Sequence, residues 1–305
     1  MYEFIVNPAA CSGRGTSLWK QVERILEEEN IEYHVHIPKS RTDVIRLCNT
    51  LTKQPVHLVI LGGDGTLNAV LQGISDFENT VLSCIRTGSG NDFARNMKIS
   101  GNMQKKLRHI LYEPEEHLLD YGEATYEQNG ELVTQRFLIS CGIGYDADIC
   151  EEVSRSRLKQ VLNKVHLGKL VYVAIGIKQI FSRRSPGAVI TMDDAEGMTV
   201  PKMFFSVGML HEMEGGGVPF CPDADPVDGM FDVCLVQGMS KIRLLLAVML
   251  VYFRKHTLFR EITLHRCRRL HIRTQEYQWF HIDGDTPCRV TELTLQCRSG
   301  LRFVK

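Results

Sequence analysis

The segment Val56-His57-Leu58-Val59-Ile60-Leu61 is apolar at nearly every position and runs directly into Gly62-Gly63-Asp64-Gly65-Thr66. A strand without polar alternation needs cover on both faces, which places it inside a parallel sheet flanked by helices. The surrounding pattern agrees. Tyr2–Val6, Glu32–Ile37 and Val81–Ile85 read as strands, and Ser17–Glu29, Thr42–Thr52 and Leu67–Ile74 as helices with one apolar face. This βαβα order predicts a doubly wound α/β domain.

The pattern changes near His117. Strand-like segments then dominate, from His117–Tyr126 through Arg136–Ser140, Ala188–Met192, Lys202–Met209 and Phe231–Val236. Glu261–Leu264, Leu270–Arg273, Phe280–Ile282 and Thr291–Gln296 follow, and Asn129-Gly130 marks a hairpin. Helical stretches near Ala147–Phe181 and Lys241–His256 interrupt them. The chain's 305 residues exceed what one core usually supports. The reading is an α/β domain over 1–118 followed by a β-rich domain over 119–297.

The formal net charge is zero, and no aromatic-basic motif accompanies the cations, which argues against nucleic acid as a partner. The 10 cysteines are scattered without CxxC spacing, so zinc sites and a dense disulfide framework are not expected. The N-terminus enters a strand directly and shows no signal peptide. The longest apolar run, Leu244–Phe253, is about half of the roughly 20 residues a membrane span needs. It reads as a buried or an interfacial helix. Charge is segregated locally. Val153–Met192 contains Arg155, Arg157, Lys159, Lys164, Lys169, Lys178, Arg183 and Arg184 but no acid. Val233–Arg260 contains Lys241, Arg243, Arg254, Lys255 and Arg260, again without an acid. Such stretches suit either a solvated helix face or a basic face toward anionic lipid.

Three polar, glycine-bearing loops follow strands of the first domain: Asn7–Gly15, Gly62–Asn68 and Arg86–Arg95. Ligands of open α/β sheets bind at that edge. Glycine permits close backbone approach, and the N–H groups opening a helix favour an anion such as phosphate. Asp64 beside phosphate calls for a cation or a proton-transfer role; its plain alternative is a helix cap. Asn68, one turn on, can aim its amide at the same site. The Walker and dinucleotide-binding spacings are both absent. In the second domain, Asp283-Gly284-Asp285 reads on spacing alone as a type I′ hairpin turn.

Together these motifs resemble the diacylglycerol kinase catalytic-domain family, in particular its soluble bacterial lipid kinases. The resemblance rests on Asn7-Pro8 with Ser12-Gly13, Gly62-Gly63-Asp64-Gly65-Thr66 and Gly88-Ser89-Gly90-Asn91-Asp92-Phe93-Ala94. It continues through Gly215-Gly216-Gly217, Pro222-Asp223-Ala224, Asp228-Gly229 and Asp283-Gly284-Asp285. It implies a phosphofructokinase-like nucleotide domain, a C-terminal β-sandwich for the lipid, and ATP in the cleft between them. A last strand at about 298–305 is expected to return to the first domain. By position, the resemblance assigns nucleotide contacts to Asn7, Thr42, Gly62, Gly63, Asp64, Gly65, Thr66, Leu67, Asn68, Ala69, Gly88, Ser89, Asn91 and Asp92. It assigns structural Mg2+ to Asp225, Asp228 and Met230. It gives Asp285, or failing that Asp283, as the general base, and Asp64 as organiser of catalytic Mg2+.

The implied reaction is transfer of the ATP γ-phosphoryl group to the hydroxyl of diacylglycerol or a related lipid, giving phosphatidic acid. The expected setting is cytoplasmic, peripheral to the anionic inner membrane face, with a homodimer compatible. Rival readings are a kinase for a sphingoid base or ceramide, a non-catalytic nucleotide-binding regulator, and an NAD kinase. Two departures stand out. Arg86-Thr87 precedes Gly88-Ser89 where the family commonly has Pro-x before Gly-Thr. Asp285 replaces the family's Glu.

Overall fold

The computed structural model describes residues 1–8, 10, 15–86, 91–99, 102–156 and 168–305, and side chains throughout these except 168–173. The chain divides into two compact units, Met1–Tyr121 with Ser299–Lys305, and Gly122–Arg298.

The first unit alternates β1 (Tyr2–Val6), α1 (Gly15–Glu28), β2 (Tyr33–His36), α2 (Arg41–Leu51), β3 (Val56–Gly62), α3 (Asp64–Gly73) and β4 (Thr80–Arg86). The short α4 (Asp92–Asn96) and then α5 (Met103–Tyr112) follow. The strands pair in parallel in the order β2-β1-β3-β4. Beyond β4 the sheet is extended by Arg302–Val304 of the last strand, also parallel. Phe4, Val6, Val59 and Leu61 pack on Trp19, Val22 and Leu26 of α1 and on Leu107 and Ile110 of α5. Ile5, Leu58 and Ile60 point the other way along the same strands and are equally buried. That double cover is why β3 carries no polar alternation. Gly73 lets α3 approach α2: a Cβ there would lie 2.5 Å from Ile45 O. Buried Lys106 donates from Nζ to Val304 O at 3.1 Å, holding the returning strand. Helix α5 has too few periodic apolar positions to stand out in the sequence, and it is an addition to the expected elements.

The second unit holds β5 (Glu116–Gln128, whose first residues lie in unit one), β6 (Glu131–Phe137), β7 (Ser140–Gly144), α6 (Tyr145–Arg155) and α7 (Gly168–Ser182). Then come β8 (Ala188–Met192), β9 (Met198–Val200), β10 (Met203–Met209), β11 (Phe231–Gln237) and α8 (Lys241–Val251). A 3-10 turn (His256–Leu258), β12 (Ile262–Cys267), β13 (Arg269–Ile282) and β14 (Arg289–Val304) complete the chain. One antiparallel layer runs β12-β11-β10-β7 and ends on Phe280–Ile282 of β13. The other runs β9-β8 and the start of β13 to β14. Strand β13 therefore serves both layers and changes register between Arg273 and Gln278. This is how two expected short strands become one long one. Side chains of both layers form a common core that includes Phe137, Phe231, Leu270, Phe280 and Leu293. A second core joins Phe204, Val207 and Val236 to Tyr145 of α6, Ile180 of α7 and Leu244 and Ala247 of α8. Asn129 and Gly130 both have positive φ, and Gln128 pairs with Glu131, the expected tight hairpin. Among the described residues no helix is long and apolar enough to cross a membrane.

Candidate active site

In the first unit the sheet edge is built by β1, β3 and β4. Gly62 ends β3 where a Cβ would lie 2.6 Å from that of Thr66, so only glycine lets the helix start this close. Thr66 and Leu67 return their N–H groups to Gly63 O at 3.0 and 3.1 Å. Asn7 Nδ2 donates to Thr66 Oγ1 at 3.0 Å, tying the loop after β1 to the loop after β3. Asp64 ties that loop to the next. Its carboxylate accepts from Asp92 N at 2.9 Å and Phe93 N at 3.2 Å. Asp64 thus caps α4, the following helix, instead of its own. Asn91 occupies the cap position of α4 in a left-handed conformation and makes no side-chain cap bond. Gly62, Gly63, Asp64, Leu67, Arg86 and Asn91 line one indentation.

Other nucleotide candidates fall differently. Asn68 Oδ1 accepts from Arg41 Nη2 at 2.6 Å and from Gln72 Nε2 at 3.1 Å, so the amide oxygen is held within the unit. Arg41 also reaches Gly65 O at 3.4 Å and brings a cation to the loop that sequence reasoning did not single out. Thr42 is exposed in the first turn of α2, and Ala69 is buried in α3. Gly88 and Ser89 lie outside the described residues, as do Ser12 and Gly13.

In the second unit Asp283 and Gly284 have φ of 48° and 88°, and Ile282 and Asp285 exchange both backbone hydrogen bonds. The type I′ turn is present. It also carries more chemistry than a turn requires. The Asp283 carboxylate accepts from Leu138 N, Ile139 N and Ser140 N at 3.0, 2.8 and 3.2 Å. Three such donors fix the carboxylate in place and anchor the turn to the segment from Leu138 to Ser140. Asp285, by contrast, is exposed.

Behind this turn lies a cluster that spacing did not reveal. His281 Nε2 is 3.1 Å from Asp146 Oδ2 and 3.9 Å from Glu214, and all three residues are buried. Ser140 Oγ donates to Glu214. Gly142, opposite His281 in the sheet, makes room: a Cβ there would lie 2.0 Å from Asp146 Oδ2. Burial opposes charge on His281, but Asp146, Glu214 and Asp283 outweigh it and push its pKa up to about 9. On its other side the Nδ1 of His281 accepts from Gly284 N–H at 3.3 Å. The ring therefore joins a buried carboxylate to the tip of the turn. The ligand atoms of Asp146, Glu214 and His281 lie within 4.8 Å of one another, the spacing of a proton-sharing or metal-holding group.

The expected metal loop lies after β10. Asp228 Oδ1 accepts from Met230 N at 2.9 Å, and its other oxygen pairs with Arg266. Asp225 Oδ1 accepts from Val227 N at 3.2 Å. Asp232 is buried nearby; its Oδ2 accepts no hydrogen bond but lies 3.8 Å from Arg266 Nε. Burial first, then Asp223 and Asp225, raise its pKa to about 6. Arg266 thus faces both Asp228 and Asp232, and a hard cation at Asp228 would have to share these carboxylates with it.

Part of the charge over Val153–Met192, open to a solvated or a lipid-facing reading, is answered by ion pairs. Arg155 pairs with Glu151, Lys178 with Glu152 and Arg183 with Asp148, so α6 supplies the acids that the stretch itself lacks. The Arg183 side chain is only 5% exposed and belongs to the interior. Arg157, Lys159 and Lys164, and the side chain of Lys169, lie outside what is described.

Comparison with known proteins follows this division. The diacylglycerol kinase catalytic domain matches residues 2–124. The YegS C-terminal NAD kinase beta sandwich-like domain matches residues 140–299. A relative from Bacillus subtilis (strain 168) with a provisional lipid-kinase name, YtlR, is 25% identical over 296 residues, 94% of this chain and 95% of that protein. The diacylglycerol kinase of the same strain is 25% identical over 267 residues, 87% of this chain and 83% of that protein. A crystal structure from Bacillus anthracis str. Sterne, provisionally named a diacylglycerol kinase, covers 99% of this chain and 94% of its own. It has a TM-score of 0.77 at 20% identity, a likeness of fold. Matched in both its α/β and its sandwich units, the chain belongs to the diacylglycerol kinase catalytic-domain family.

Proposed function

We propose that this protein is an ATP-dependent lipid kinase that phosphorylates the hydroxyl of diacylglycerol, giving phosphatidic acid at a membrane surface. The observation that carries the reading is the cross-bracing of three loops by Asn7, Thr66 and Asp64 at the edge of a parallel sheet. Such loops present backbone N–H groups to phosphate. Arg86 and Arg41 add positive charge beside them. Phosphoryl transfer asks chiefly for positioning and charge neutralisation, which this arrangement suits.

In this reading the first unit holds ATP, with contacts from Asn7, Gly62 to Ala69, Gly88, Ser89, Asn91 and Asp92. Thr42 contributes at most from its exposed place on α2. Asp64, while bracing the loop, would hold Mg2+, which would supply charge neutralisation at the phosphates. Asp225, Asp228 and the Met230 carbonyl would hold a structural Mg2+ in the second unit. Asp285 receives the proton of the lipid hydroxyl. Asp283, with three donors on its carboxylate, sets the position of Asp285. The protein works from the cytoplasm at an anionic membrane face.

The test is ATP turnover in mixed micelles containing diacylglycerol, ceramide or a sphingoid base. Diacylglycerol should be phosphorylated at least tenfold faster than the others. Preference for a sphingoid lipid would move the substrate class. Nucleotide binding without turnover of any lipid would make the chain a regulator.

A further inference from the structure

Helix α8 is apolar on two opposite sides. Leu244, Ala247 and Val251 lie on one side and are buried, the first two in the second core. Ile242, Leu246 and Met249, with Phe253 in the turn that follows, recur at the spacing of the opposite side. They are 73%, 44%, 54% and 72% exposed. Phe181 at the end of α7 is also exposed, and its carbonyl accepts from Lys241 Nζ, so the neighbouring helix continues the stripe. An apolar strip of this extent on a folded surface marks a contact site.

The charge around the strip identifies the occupant. Lys241 stands at one end of α8 and Lys255 follows the other, each without an acid partner among the described residues, while Arg243 pairs with Glu261 and Arg254 with Glu212. A second copy laid antiparallel on the strip would set these cationic ends against one another, an arrangement that like charges oppose. A bilayer accepts both features, apolar side chains below the headgroups and cations among anionic ones. At 11 residues the helix is about 16 Å long and lies in the interface without crossing it.

We propose that the outward face of α8, through Ile242, Leu246, Met249 and Phe253, is a docking surface for an anionic lipid bilayer. This rests on the lipid-kinase reading only for its purpose, and binding is measured apart from turnover. The experiment is co-sedimentation with phosphatidylcholine vesicles containing increasing phosphatidylglycerol. The wild type should bind, more tightly as phosphatidylglycerol rises, and Met249→Glu with Phe253→Glu should lose at least tenfold in affinity. Both positions are exposed, so folding should persist. A Met249→Trp variant gives an independent readout: the fluorescence of the introduced indole should shift blue on vesicles and be quenched by bromine-labelled acyl chains. Turnover of a monomeric short-chain diacylglycerol should be unchanged in the glutamate variant. Unchanged vesicle binding by that variant, or indole fluorescence blind to the acyl chains in Met249→Trp, overturns the proposal. So does a wild-type dimer that the glutamate variant converts to monomer, because the face would then join two copies. If no lipid is phosphorylated by the wild type but vesicle binding behaves as stated, the docking surface stands and the kinase reading fails.

Discussion

Asp64 of the first unit and Asp283 of the second are alike in sequence, each an acid between glycines or beside one, and each turns its carboxylate onto backbone N–H groups. They differ in what remains for chemistry. Asp64 accepts two N–H groups across a gap between loops, and it lines an indentation with Gly63 and Arg86. Asp283 accepts three from one segment, Leu138 to Ser140, and is committed to holding its turn. The exposed acid there is Asp285. One region combines bracing and site in a single residue, and the other divides them between two.

The sharpest way to break this comparison is Asp285→Asn. If Asp285 removes the lipid proton, kcat should fall about a hundredfold or more, with the melting temperature unchanged. Full activity at saturating ATP and diacylglycerol would remove it from the mechanism. Asp283→Asn should behave in the opposite sense. It weakens three charge-assisted bonds and should cost about 1–3 kcal/mol of second-unit stability, with activity falling because the turn loosens. The chain's tryptophans separate the units, Trp19 in the first and Trp279 in the second, so fluorescence unfolding of the single-tryptophan variants Trp19→Phe and Trp279→Phe reads each alone. A loss reported by Trp19 instead of Trp279 would contradict the assignment. Asp64→Ala should do both at once: turnover is abolished, and the cap of α4 is lost at about 1 kcal/mol. Retained activity would reduce Asp64 to a cap.

Much of this was legible because glycine loops and two-residue turns are local. Gly62-Gly63-Asp64-Gly65 and Asp283-Gly284 specify their backbone within a few residues, and β3 declared its burial by lacking alternation. What was not legible depends on distance along the chain. Asp146 and His281 meet across 135 residues, and nothing in their spacing joins them. The only signal was a histidine inside the apolar run Phe280-His281-Ile282, which invites the question of its partner. Arg183 misled for the same reason. The acid-free stretch that contains it reads as a basic face until Asp148, from another helix, is brought against it. Arg41 and Asn68 pair by the same long-range packing of α2 beside α3.

The smallest effect extends the comparison to a buried cation in each unit. Lys106 in the first unit donates to a neutral carbonyl, and burial lowers its pKa to about 8. His281 in the second is as buried, but carboxylates surround it and push its pKa up to about 9. The signs follow by linkage. A histidine raised on folding contributes stability that is complete below its unfolded value near 6.5 and is lost as pH rises through about 9. A lysine lowered on folding does the reverse. Its penalty is complete below about 8 and fades toward its unfolded value of 10.5. Between pH 7 and 9.5, therefore, Trp279 should report a falling midpoint, by about 3 °C, while Trp19 reports a level or rising one. His281→Gln should flatten the first profile and Lys106→Met the second. The buried thiols do not confuse this window, because burial pushes those of Cys48, Cys84 and Cys267 up to about 12. Parallel profiles from the two tryptophans would show that the carboxylates around His281 do not hold its proton, and the turn carrying Asp285 would then be positioned without it.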